Sequence, residues 1–219
     1  MNTSAFIIVI VGLLIFAALA VVLLLSNRGA QAPASRETWR AFAQQSGGSY
    51  SENPLGRARK VTLAERGWPL SLEAWSTLNG PGDSIQSYTR LLAQGAFAPL
   101  AAYVLHAESR LPGAPAINLT QRGGEAFATG DRELDAGYTF RSSDPARASA
   151  LLRTPVVRDL LLRLNAPEAY LDIAVEGGAG VVRFGGEDTP LSVARLDDTR
   201  RLVVAVLDGL AAGGAARTP

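Results

Sequence analysis

Leu70-Ser71-Leu72-Glu73-Ala74-Trp75, the turn Asn79-Gly80-Pro81-Gly82-Asp83 and Ile85-Gln86-Ser87-Tyr88-Thr89-Arg90-Leu91 decide the fold class. Short runs of alternating apolar and polar residues have the period of a strand with one buried and one wet face. The Gly-Pro-Gly turn between them joins antiparallel neighbours. Arg59-Lys60-Val61-Thr62-Leu63 precedes this unit and Ala102-Tyr103-Val104-Leu105-His106 follows it. Parallel strands need a crossover of a dozen or more residues, and no helical pattern separates these runs. The expectation over residues 50–140 is an antiparallel meander.

Helical spacing flanks this region. Upstream, Ser35 is placed as an N-cap, Trp39, Phe42 and Ala43 share a face, and Gly47-Gly48 closes the segment. Downstream, Asp144-Pro145 and Thr154-Pro155 are two successive start signals. They predict two helices, or one broken at Pro155, with Leu151, Leu152, Val157, Leu160, Leu161 and Leu164 facing inward. Tyr170–Val175 and Val181–Phe184 read as a hairpin across Gly177–Gly180, and Thr189-Pro190 opens a last helix through Leu210.

The strongest apolar run lies at the start of the chain. Residues Ala5–Leu25 hold 20 apolar residues in 21, about 31 Å as a helix and long enough to cross a bilayer. A cleaved signal peptide fits less well. Met1–Ser4 carry no Lys or Arg, and Pro33 would follow a cut after Ala30-Gln31-Ala32. No basic residue precedes the run, whereas Arg28, Arg36 and Arg40 follow it. The positive-inside rule then puts the rest of the chain in the cytoplasm, and a periplasm-facing envelope domain is the opposite orientation. The expected organisation is a tail over 1–4, a transmembrane helix over 5–25, a linker over 26–35, a soluble domain over 36–212 and a flexible tail over 213–219. The expected fold class is α+β: a single N-terminal transmembrane helix, then one soluble domain with a mostly antiparallel sheet and packed helices.

Composition narrows the function classes. Without Ala5–Leu25 the remainder is roughly 42% apolar, ordinary for a globular domain. No second run approaches 18 apolar residues, which excludes a polytopic channel or transporter. The chain has no cysteine, so disulfides, thiolate catalysis and iron–sulfur clusters are excluded. A net charge of +1 gives no nucleic-acid-scale field. Charge is uneven, however: residues 26–60 hold six basic and two acidic side chains. That suits either anionic lipid head groups or a solvated strand end.

Gly130-Asp131-Arg132-Glu133-Leu134-Asp135-Ala136-Gly137-Tyr138-Thr139-Phe140, Asp144-Pro145-Ala146-Arg147-Ala148 and Leu151-Leu152-Arg153-Thr154-Pro155 carry a resemblance. Residues 130–185 resemble the C-terminal half of a domain-of-unknown-function family of bacterial membrane-anchored proteins. In that family a Phe-Asp pair and a strand precede an Asp-led helix containing Ala-Arg and Leu-Leu-Thr-Pro. Here Leu134-Asp135 replaces Phe-Asp, and Arg153 interrupts the last motif. The resemblance implies an architecture and no activity.

Chemistry-bearing residues are few. His106 is the one histidine and cannot build a His/Cys zinc site; it reads as a strand-end residue. Gly47-Gly48-Ser49-Tyr50-Ser51 fails the nucleophile-elbow pattern at its last position. Gly177-Gly178-Ala179-Gly180 lacks the Lys-Ser/Thr of a phosphate loop, so no cofactor is expected. Asp131, Glu133 and Asp135 are the metal candidates, alternate carboxylates suited to a hard cation. An EF-hand loop fails on Ala136 and Ser142. The competing reading gives Gly130-Asp131 to a turn and Asp135 to a backbone cap, with Arg132 and Arg122 balancing the charge. Trp39 and Trp75 are expected in the core, and Trp68 at a partly exposed strand entry. The leading expectation is a non-catalytic binding or scaffolding domain at the membrane surface. Its expected partners are the lipid bilayer, through residues 5–25, and a protein of unknown identity, with no nucleic acid. The alternative is a metal-assisted hydrolase using Asp131, Glu133 and Asp135.

Overall fold

A computed structural model describes residues 35–54, 58–79, 84–96, 102–111, 123–187 and 192–212. Helix α1 covers residues 35–45 and buries Trp39, Phe42 and Ala43. It closes where the Gly48 amide donates to the Ala43 carbonyl at 2.8 Å. Strands β1 (Ser49–Glu52), β2 (Ala58–Glu65), β3 (Trp68–Asn79) and β4 (Ser84–Ala96) follow as an antiparallel meander. The β2–β3 turn is Arg66-Gly67, with φ of 52° and 84°. Two successive positive φ values give the turn whose twist matches that of paired strands, and glycine adopts the second at no steric cost.

Beyond β4 the order departs from the chain. Strand β5 (Tyr103–Ser109) does not pair with β4, because the hairpin of β8 (Tyr170–Glu176) and β9 (Ala179–Glu187) lies between them. With β6 (Glu125–Phe127) and β7 (Tyr138–Ser142), the order is β1-β2-β3-β4-β9-β8-β5-β7-β6. Every pairing among the described residues is antiparallel. The edges are strands of four and three residues, too short to template much further pairing.

Helices α2 (Arg132–Gly137), α3 (Pro145–Leu152), α4 (Pro155–Leu164) and α5 (Val193–Ala212) complete the core. The two proline signals give two helices. Asp144 accepts from the Arg147 amide at 3.0 Å, whereas Thr154 turns its hydroxyl back to the Leu151 carbonyl and makes no side-chain cap. Alternate strand residues, among them Val61, Leu63, Leu70, Leu72, Leu91, Leu105, Leu171, Ile173 and Val182, join the apolar stripes of the helices in one cluster. α5 is its centre, burying Leu196, Leu202, Val203, Val206, Leu207 and Leu210.

The expected fold class requires correction. Among the described residues a nine-stranded antiparallel sheet dominates, with a few helices packed against it. No described helix is long and apolar enough to cross a membrane. The single N-terminal transmembrane helix expected at 5–25 is thus not supported by any described helix, and that stretch lies outside the described residues, as do Arg28 and the tails at 1–4 and 213–219. The meander also ends sooner than expected. Alternation shows which face of a strand is buried, but not which strand lies beside it.

Candidate functional site

The acidic group expected to hold a metal is built into the α2–α4 packing. Asp131 is the N-cap of α2, and its Oδ1 accepts from the amides of Glu133 at 3.0 Å and Leu134 at 3.1 Å. Its Oδ2 receives Nε of Arg158 from α4, and Glu133 receives Nη2 of the same guanidinium. Asp135 faces away, accepting from the Thr129 amide and hydroxyl, both at 2.8 Å, and from the Gly130 amide at 3.1 Å. The Arg158 hydrogen bond, followed by those two α2 amides, holds the Asp131 carboxyl below its ordinary range. The Arg158 guanidinium is in turn stabilised in its charged form. Among the described residues no group of three or more His, Asp or Glu side chains is arranged to hold a metal ion. The balancing cation is Arg158, not Arg132; Arg122 lies outside the described residues.

The basic residues expected to flank the membrane are also engaged. Arg36 Nε lies 2.8 Å from Glu52, and the Arg40 guanidinium sits 5.4 Å from the centre of the Tyr50 ring. Arg59 shares Glu52 and donates to the Ser35 hydroxyl. His106 is in the middle of β5, not at a strand end, and is buried. Its Nδ1 is 3.9 Å from Asp172 and its Nε2 3.8 Å from Glu108, while Arg183 approaches Asp172 at 3.6 Å. The two nearest carboxylates address opposite ring nitrogens, so they do not converge on one point.

A different cluster faces open space. The register places Lys60, Glu73 and Arg90 side by side on β2, β3 and β4. Glu73 receives Arg90 at 2.8 Å, Lys60 at 3.2 Å and the Ser71 hydroxyl at 3.0 Å. Burial pushes its pKa up, but these three hydrogen bonds outweigh burial and hold the carboxyl below its ordinary value. Arg90 lies 5.1 Å from the Trp75 ring centre, a cation–π geometry. Trp75 in turn stacks on Tyr88 at 5.7 Å, with 21° between the rings. Beside them is a cleft of about 510 Å³, lined by residues including Glu52, Asn53, Arg59, Lys60, Glu73, Trp75 and Arg90. Two fixed cations, an aromatic plane and unused cleft volume suit the binding of an anionic or planar group.

Trp39 is buried as expected, whereas Trp68 and Trp75 exchange their expected places. Trp68 is 4% exposed, because it shares the parity of Leu70 and Leu72. Gly95 makes room for it: a Cβ there would stand 2.4 Å from the Trp68 ring. Trp75 shares the parity of Ser71 and Glu73 and is half-buried on the opposite face. The missed cluster had a signal in the sequence. Pairing strands outward from Asn79 and Ser84 brings Glu73 opposite Arg90 and Trp75 opposite Tyr88.

No protein-family model, no curated protein and no solved structure matches this chain.

Proposed function

We propose that this chain is a non-catalytic binding domain that works at the cytoplasmic face of a membrane. In this reading the apolar stretch 5–25 is its contact with the lipid bilayer, and the cleft at Lys60, Glu73, Trp75 and Arg90 engages a second component. One observation carries the reading. The strands bury one face under the helices, yet the other face of β2–β4 keeps an ordered charged and aromatic cluster beside a cleft. Two further features support it. Residues 5–25 are apolar in 20 of 21 positions, and the basic residues lie on their C-terminal side.

A photo-crosslinking amino acid introduced at position 75 of the full chain in cell membranes tests the proposal. A crosslinked product, to a protein or to membrane lipid, that is lost in Arg90→Ala with the fold intact is the expected result. A chain that fractionates with membranes but gives no product at position 75 overturns the assignment of this face.

A further inference from the structure

Resting on that reading, we infer that the second component at this cleft is the anionic lipid surface itself, docked against Lys60, Arg90 and the Trp75–Tyr88 stack. The place where the chain enters the domain carries the argument. Ser35, the first described residue, accepts a hydrogen bond from Arg59, and Arg59 lines the cleft. Only residues 26–34 separate Ser35 from the apolar stretch, and nine residues span at most about 32 Å when fully extended. A segment held in the bilayer therefore keeps this end of the sheet within a short tether of the head groups.

The chemistry at this end matches that neighbour. On the face that carries Trp75 and Tyr88, Lys60 and Arg90 stand against the single carboxylate of Glu73, while Arg36, Arg40 and Arg59 lie at the same end of the sheet on its α1-covered side with Glu52. Lys60 is 47% exposed at the side chain, which leaves its ammonium group accessible to phosphate oxygens. Trp75 and Tyr88 add aromatic rings of the kind enriched at the head-group level of membranes. A soluble anion would satisfy the cations but would give the aromatic pair no interface to occupy.

Tryptophan fluorescence of the full chain in nanodiscs provides the test, because Trp39 and Trp68 are buried and Trp75 is the accessible ring. Quenching by acrylamide is compared between discs of phosphatidylcholine alone and discs with about 30% phosphatidylglycerol, which supplies the negative surface potential. The expected result is a quenching slope about two-fold lower on the anionic discs, restored by about 0.5 M salt. Trp75→Phe should remove the quenchable fraction, and Lys60→Glu should abolish the difference between discs. Equal slopes on both discs, with the chain retained in them, overturn lipid docking while leaving the anchoring intact. Protection of Trp75 by inorganic phosphate without lipid also overturns docking, in favour of a small-anion site. A chain that does not stay with the discs overturns the membrane reading and this inference together.

Discussion

The Asp131–Glu133–Asp135 group and the Lys60–Glu73–Arg90 group contain similar ingredients and do different work. In the first, three carboxylates crowd into five residues of sequence, yet each is consumed by the local fold: Asp131 caps α2 and shares Arg158 with Glu133, and Asp135 ties down the Thr129–Gly130 backbone. In the second, one carboxylate gathers charges separated by 13 and 17 residues and positions them over a cleft. Density of charge along a chain marks caps and clamps as readily as it marks a site. Convergence through strand register is the more informative property.

The largest effect that would sharpen this contrast is at Asp135. Asp135→Ala removes three hydrogen bonds and leaves the Thr129 amide without its partner, so denaturant unfolding should show a loss of about 2–3 kcal/mol. A near-neutral result would break the assignment of this carboxylate to the fold. At the other cluster, Glu73→Gln should cost only about 1 kcal/mol, since its ion pairs are partly solvated. The same substitution should loosen Arg90 from Trp75, which changes in Trp75 emission would report.

Acid titration provides the next test. Glu73 and Asp131 both have folded-state pKa values below their ordinary values. Their stabilisation is therefore present above the unfolded-state pKa and lost as pH falls through the folded-state value. Melting temperatures measured from about pH 6 down to pH 2 should decline on the acid side, and Glu73→Gln should flatten part of that decline. An unchanged acid profile in the variant would break the role given to Glu73. The smallest expected effect is that of cations: millimolar Ca²⁺ or Mg²⁺ should move the melting temperature by less than about 1 °C. A clear rise abolished by Asp131→Asn would reinstate a metal at α2.

Much of the fold was legible because local physics repeats with fixed periods. The alternation through Leu70, Leu72 and Leu91 marked the buried faces, and Pro145 and Pro155 marked the starts of two helices. The same alternation placed Trp75 with Glu73 and Trp68 with Leu70; expecting a core position for Trp75 set residue type above position. The insertion of the β8–β9 hairpin between β4 and β5 was not legible, since backbone hydrogen bonds carry no label of the strand they join. Nor was Arg158, 27 residues from Asp131 and brought to it only when α4 packs near α2.

The amino-acid sequence alone determined the apolar stretch at 5–25, the absence of cysteine chemistry, the alternation of the strands and the capping signals of the helices. These depend on composition and on neighbours within a few residues. Tertiary structure decided the strand order, the commitment of Asp131, Glu133 and Asp135 to the fold, and the meeting of Lys60, Glu73 and Arg90 beside Trp75. Those features depend on which distant segments share a face. Burial of the apolar cluster selects that arrangement for the chain as a whole, and no short segment encodes it.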